Sequence, residues 1–296
     1  MASRMLTVAF SAAEWILARF PQRLLWNMAT IAAYIAVFLH PERIRIAEEN
    51  IRSAYQDIST GQLKKIVFES ARNLFHVFFE IPFIAHASRE EILHIIRAEN
   101  MESVKTLIMK HGKVVFVSAH FGNWEYAALT GPLYLGCPVT IVGKPQKNVY
   151  VDNFLNSMRE RFGNKVIPMN RAVRRMMELL ETNHSIALLV DQAATPQDIF
   201  VDFFGRNAPT YKTAAALSLR CNAPLIFGLA ERQPDLTYIV KFKEIPSADL
   251  DGYNEENVRI LTERHVKVLE NAIREQPGQW LWFHRRWKHA EYATAS

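Results

Sequence analysis

With 296 residues, 49% hydrophobic and 22% charged, the chain can bury a sizeable core, as one large α/β domain with an N-terminal appendage or as two small domains. Its two cysteines, Cys137 and Cys221, sit in apolar surroundings beside predicted strands, which excludes a disulfide framework or cysteine metal site and favours a reducing compartment. A formal net charge of +5 suits an anionic partner such as phospholipid or an acidic carrier, while no zinc-finger spacing, aromatic RNA-binding motif or basic tail supports nucleic acid.

The N-terminus is unusually apolar. Met5 to Phe20 is interrupted by Ser11, Glu14 and Arg19; after Pro21-Gln22-Arg23 comes Leu24 to Leu39, interrupted by Asn27 and Thr30. Sixteen helical residues span about 24 Å, short of the roughly 30 Å hydrocarbon core. Three readings compete: a short single span, an in-plane helical hairpin, and a buried helix pair. Residues 1–40 are read as a membrane-associating segment without the charged leader and cleavage site of a signal peptide. The cluster Arg43, Arg45 and Arg52 then places the remaining chain on the cytoplasmic side. A solvated helix face paired with Glu42, Glu48 and Glu49 explains the same residues.

Residues 41–296 read as one domain, a helical lead-in over 41–110 followed by an α/β core over 111–296. Ile44, Ile46, Ile51 and Tyr55 form the first helical stripe, and a turn near Ser59-Thr60-Gly61 precedes a second helix through Leu63, Ile66, Val67, Leu74 and Phe78. Ser88-Arg-Glu-Glu91 is a capping box for a third helix. His76 and Glu80 share a helical face and read as an i,i+4 packing pair.

From Lys113 strands and helices alternate, predicting a mixed, mostly parallel sheet flanked by helices. Predicted strands are Val114–Ser118, Val139–Val142, Lys165–Ile167, Ile186–Val190, Leu225–Leu229 and Thr237–Phe242. The last two flank Gln233-Pro234-Asp235 and form an antiparallel hairpin at the edge. Helices fall near Asn123–Leu133, Val149–Phe162, Arg171–Thr182, Tyr211–Cys221 and Asn254–Glu275.

The first of these strands ends in Ser118-Ala-His120-Phe-Gly-Asn-Trp-Glu125. Ligands bind at the carboxyl ends of strands in open α/β sheets, so His120 lies where a general base would face a hydroxyl. On one helix, residues five apart diverge by about 140°, so Glu125 reaches His120 only if the histidine is on the loop and the glutamate on the first helical turn. There Glu125 would fix the histidine tautomer. Asn123 can cap that helix, and backbone N–H groups near Gly122-Asn123 are candidate oxyanion donors.

Lys144-Pro145 and Asp191-Gln192 follow two other strands and line the same rim. Arg159 and Arg161 end a predicted helix; they fit phosphate or oxyanion binding, or complement the helix dipole. Phe200 to Arg206 reads as an apolar loop that either admits an acyl chain or anchors into the core through Phe203 and Phe204. Thr210 or Thr213 then caps the next helix, whose free N–H groups suit an anion. Trp280 to Lys288 mixes aromatic and cationic residues, as a membrane interface does or as a sheet-packing tail.

In this order the motifs resemble the bacterial late acyltransferases of lipid A biosynthesis, within the glycerolipid acyltransferases that carry His-x4-Asp/Glu. The resemblance also rests on Arg159-Glu-Arg161-Phe-Gly163, Asp191-Gln192, Phe203-Phe-Gly205 and Gln279-Trp-Leu-Trp-Phe-His284-Arg-Arg-Trp-Lys288. It implies His120 as base, Glu125 as its orienting partner, Arg159 and Asp191 in the catalytic site, and Asn123, Lys144, Arg161, Gln192, Phe203, Phe204 and Thr210 against substrate. It further implies an acyl carrier protein donor, a phosphorylated glycolipid acceptor, no metal or cofactor, and the cytoplasmic side of a bacterial inner membrane. Lys144-Pro145 departs from the Tyr-Arg-Pro of many members. Another glycolipid or lysophospholipid acceptor, a hydrolase, and a non-catalytic lipid-binding protein are the competing readings.

Overall fold

The computed structural model describes residues 14–169, 172–288 and 290. Helix α1 (Gln22–Leu39) opens it and packs through Leu25, Ala29 and Ala33. Most of Met5–Phe20 lies outside the described residues. Helices α2 (Pro41–Ala54) and α3 (Thr60–His86) follow, then α4 (Arg89–Ile95), strand β1 (Ile96–Glu99) and α5 (Met101–His111). Ser59 and Ser88 cap α3 and α4 through reciprocal bonds with Gln62 and Glu91, as the capping-box pattern requires.

The α/β core continues with β2 (Val115–Ser118), α6 (Trp124–Thr130) ending in a π turn at Gly131–Leu135, β3 (Val139–Gly143), α7 (Val149–Glu160), β4 (Lys165–Pro168), α8 (Ala172–Glu181) and β5 (Ser185–Leu189). Strands β6 (Ile199–Phe203) and β7 (Arg206–Thr210) precede α9 (Thr213–Cys221), β8 (Leu225–Arg232), β9 (Tyr238–Ile245) and α10 (Glu255–Glu275). The main sheet has the order β1-β9-β8-β2-β5-β3-β4, with only the β8–β9 pair antiparallel. This is the mostly parallel sheet expected from the alternation of elements.

Strand periodicity divides the core. Val115 and Val117 point into one apolar cluster with α8, α9, α10 and the C-terminal tryptophans. Val114 and Phe116 point into the other, with Ile84, α4, Tyr126 and Tyr238. Alternate residues of a strand face opposite sides, so a run apolar at every position belongs in the middle of such a sandwich.

Three expectations need correction. The helical reading of the lead-in overlooked β1, whose four residues pair parallel with β9. The β8–β9 hairpin is therefore one strand inside the edge. Residues Phe200 to Arg206 are not a loop: β6 and β7 form their own antiparallel ribbon, turning at Phe204-Gly205, both with positive φ. Of its two readings the C-terminal aromatic stretch takes the packing one, with Trp280, Trp282, Arg286 and Trp287 all buried.

Helix α1 is amphipathic in an unusual sense. One seam packs on α3, where Trp26 meets His76 edge-on at 4.9 Å and Tyr34 meets Phe68 at 4.4 Å. The opposite face leaves Leu24, Ile31, Ile35, Leu39 and Phe38 uncovered, Phe38 at 84% exposure. An apolar area of this kind on a soluble surface marks a contact with something else. By length and composition α1 is apolar enough to cross a membrane.

Two buried histidines make the fold acid-sensitive. Burial, reinforced by Arg232 and Arg72, drives His76 down to about 3, and burial with Arg286 nearby does the same to His265. Above the ordinary histidine value both forms of the chain are neutral there; below it only the unfolded chain takes up the protons, so stability falls with pH. Glu80, pushed up to about 7 by burial, binds its proton first in the fold and offsets one histidine between pH 7 and the ordinary carboxylate range. Urea unfolding should thus lose up to about 1.4 kcal/mol per pH unit between about pH 6 and 5. His265→Leu, which removes a ring whose nitrogens have no partner among the described residues, should flatten that limb.

Candidate active site

His120 sits just past the carboxyl end of β2, between β5 and β8. Its loop is held by backbone pairing on every side. Gly122 N–H donates to Gln279 O at 2.9 Å, Asn123 N–H to Ala230 O at 3.1 Å, and Leu281 N–H to His120 O at 3.0 Å. Gly122 adopts φ +54, and a Cβ there would fall 1.7 Å from Ala230 O, so only glycine passes. The N–H groups of Gly122 and Asn123 are consumed by these bonds and are not the oxyanion donors that the sequence led us to expect.

The residue that orients His120 is Asp191, not Glu125. Asp191 Oδ1 accepts from His120 Nδ1 at 2.8 Å and Oδ2 from His120 N–H at 3.0 Å. Trp280 Nε1 donates to the same Oδ2 at 2.9 Å. Burial pushes the Asp191 carboxyl up, but the His120 charge and these three donors outweigh it and hold it below the usual carboxylate range. Burial likewise pulls the His120 ring down; the charge and hydrogen bond of Asp191, helped by the charge of Glu125, raise it above an ordinary histidine. With Nδ1–H committed to a carboxylate, Nε2 is the basic nitrogen.

Glu125 lies on the first turn of α6, as the spacing argument required, but its carboxylate faces Arg159. Arg159 Nε and Nη2 donate to Glu125 Oε2 and Oε1 at 2.8 and 2.6 Å, a bidentate fork. Trp124 Nε1 adds a third donor to Glu125 at 3.2 Å, and its ring meets the His120 ring edge-on at 5.0 Å. Burial lowers Arg159, and the Glu125 charge and bond more than restore it. Glu125 therefore reaches His120 through space, by charge alone.

These groups line a cavity of about 480 Å³, a size common for ligand pockets. Ser118, His120, Glu125, Arg159, Lys144 and Gln192 supply its polar wall. Its other wall is apolar: Phe116, Val139, Ala187 and Phe242, with Gly131 of the π turn and Gly228 of β8. Lys144 is exposed, whereas Phe116, Val139 and Phe242 are buried, so the space runs from the protein surface down onto the sheet. At Gly228 a Cβ would come within 2.8 Å of the Phe242 ring. Among the described residues no His, Cys, Asp and Glu group could hold a metal ion.

Five other candidates are placed elsewhere. Asn123 is fully buried; its Oδ1 caps α6 by accepting from Glu125 and Tyr126 N–H, so it serves the fold and not the ligand. Arg161 donates to Ile84 O at 2.8 Å and stacks near Phe162, outside the cavity wall. Phe203 and Phe204 are core residues of the β6–β7 ribbon, packed on Trp280, Trp282 and Trp287. Thr210 is buried at the end of β7, donating to Ala208 O and accepting from Arg286, so it neither caps α9 nor presents an anion site.

Sequence reasoning missed the polar stripe of α3. Ser70 donates to Trp280 O at 2.5 Å, and Asn73 Nδ2 to both Gly122 O and Gln279 O at 3.0 and 3.1 Å. Two turns further, Glu80 Oε2 accepts from Asn123 Nδ2 and Tyr238 OH at 2.9 and 2.7 Å. The sequence carries a faint signal for this stripe: Ser70, Asn73, His76 and Glu80 recur at helical spacing in a segment whose other residues, Arg72 apart, are apolar.

Residues 1–289 match the family model described as bacterial lipid A biosynthesis acyltransferase. The chain is similar to the lipid A biosynthesis palmitoleoyltransferase of Escherichia coli (strain K12), 23% identical over 278 residues, covering 93% of this chain and 88% of that protein. It is also similar to the lipid A biosynthesis acyltransferase of Haemophilus influenzae, 23% identical over 244 residues, covering 80% of this chain and 73% of the relative.

The geometry separates two kinds of variant. Glu125→Ala strands the Arg159 guanidinium in a site only 17% exposed, so it should destabilise the fold by about 3 kcal/mol in urea titrations. Glu80→Ala should likewise lower the melting temperature by freeing two buried donors, with Glu80→Gln recovering most of the loss because its carbonyl still accepts.

Proposed function

The chain belongs to the bacterial lipid A biosynthesis acyltransferase family, and from that premise we propose that it moves a fatty acyl group from an acyl carrier protein thioester to a hydroxyl of a lipid A precursor, with His120 as general base. The observation that carries this reading is the meeting, in one cavity, of a carboxylate-held imidazole with an apolar wall. An imidazole alone would suit many reactions. The buried apolar extension suits a hydrocarbon chain.

The chemistry follows from the His120–Asp191 pair. The acceptor hydroxyl attacks the thioester carbonyl as Nε2 takes its proton; Asp191 stabilises the imidazolium that forms. The tetrahedral oxyanion then collapses, breaks the C–S bond and expels the carrier thiolate, which recovers the proton from His120. Arg159 supplies positive potential to the oxyanion from the cavity wall, its geometry fixed by Glu125. Gln192 and Lys144 stand beside the same space and suit the polar head of the acceptor, Lys144 as a point charge for phosphate. No step calls for a metal or organic cofactor.

Membrane association fits the uncovered face of α1, which lies on the same chain as a site for a lipid acceptor. The cationic segment after it, with Arg43, Arg45 and Arg52, fits a cytoplasmic setting at the bacterial inner membrane.

The direct test is the product mass after incubating the membrane-reconstituted enzyme with acyl carrier thioester and a tetraacylated lipid A precursor. One added acyl group supports the reading; free fatty acid alone would reassign the enzyme as a hydrolase. His120→Ala should lower turnover by about 10²- to 10⁴-fold without loss of stability. Asp191→Asn removes the charge that lifts His120, so the acid limb of kcat/KM should move to lower pH while its plateau drops. An unshifted limb would sink the assignment of Asp191.

A further inference from the structure

The carboxyl ends of β3 and β4 lie side by side, Gly143 opposite Pro168, with α7 starting at Val149 and α8 at Ala172. At this corner Val149, Tyr150, Met169 and Val173 are all about half exposed or more. Cations surround them. Lys144 and Lys147 are exposed on the first loop, and Arg174 and Arg175 project from α8 with side chains 92% and 59% exposed. The acids in the same area are already engaged: Asp152 accepts from Gln146 N–H and Asn156, and Glu178 is bound by Arg174 and Arg175. Among the described residues four cations therefore stand over two acids.

This corner touches the cavity directly, since Lys144, Gln146 and Met169 line both. A donor thioester carried on a protein must be delivered at such a mouth. We propose that the loop after β3, Met169 after β4, and the first turns of α7 and α8 are the docking face for the acidic acyl carrier protein. The inference rests on the acyl-transfer reading above and adds the surface that selects the donor. Methionine, tyrosine and arginine beside a polar rim are the composition of protein interfaces. Charge complementarity of this kind acts mainly on encounter rate and specificity.

A bilayer is the other anionic surface, and the composition speaks against it. The α1 face carries Phe38, Leu39, Ile31 and Ile35, whereas among the described residues the cavity corner exposes only valine, methionine and tyrosine as its large apolar side chains.

The test is the double variant Lys147→Glu with Arg174→Glu in the full-length enzyme, with its melting temperature as the folding control. Two donors are compared: acyl carrier protein and the matching acyl-pantetheine, which keeps the thioester but lacks the protein. The variant should raise KM for the carrier donor about tenfold at low salt, with kcat and the acyl-pantetheine reaction unchanged. Calorimetric binding of the carrier should weaken in parallel and the difference should shrink in high salt. The proposal is overturned if carrier KM and binding are unchanged, if both donors lose activity together, or if the variant instead loses binding to phosphatidylglycerol vesicles. Should the wild type consume neither thioester, acyl transfer fails as a reading, while the binding measurement still decides the docking face.

Discussion

The bond between Asp191 and His120 is the interaction on which the site depends. A carboxylate fully enclosed by protein would normally be protonated, because burial disfavours its charge. Here three donors meet it: the imidazole Nδ1, the His120 backbone N–H and the indole of Trp280. The three residues involved come from different parts of the framework. Asp191 follows β5, His120 follows β2, and Trp280 belongs to the C-terminal segment. The pair is therefore assembled only when the sheet register and the C-terminal tail are both in place. Trp280 also pairs with Phe121 across an isolated bridge, so the tail both donates to the carboxylate and holds the loop that carries the imidazole.

Behind that loop, α3 acts as a ruler. Ser70, Asn73 and Glu80 reach three successive features: the Trp280 carbonyl, the Gly122 carbonyl and the amide of Asn123. Asn123 passes the constraint on, since its other end caps α6 and so fixes the turn that bears Glu125. Polar groups buried this deeply cost stability unless bonded, and their return here is positional.

Much of the framework was legible in the sequence because it obeys simple periods. The run Val114–Val117 is apolar at every position and became the central strand; the capping box at Ser88 begins a helix as its chemistry dictates. His120, Lys144 and Gln192 were found because strand ends line clefts. The misses have a common cause, which is that partnership is a tertiary property. Five-residue spacing put Glu125 near enough to His120, but nothing in the local sequence revealed that Arg159 would claim it, or that Asp191, 71 residues away, would take the imidazole. Phe203, Phe204 and Thr210 looked like a loop because β6 and β7 pair only with each other and carry no long apolar run. Strand β1, four residues long, was hidden between two helices with strong caps.

The seam between α1 and α3 has a consequence for how the enzyme can meet a lipid. Ala29 and Ala33 let the two helices approach closely, and Trp26 is gripped by the guanidinium groups of Arg72 and Arg232, at 4.2 and 4.3 Å from its ring. α1 is therefore a fixed strut, not a leash. In a bilayer it would hold the imidazole at one set height, so that hydroxyls are sorted by their depth below the headgroups as well as by their shape. Cutting the strut away would not yield a well-behaved soluble enzyme, because the groove it vacates on α3 is itself greasy.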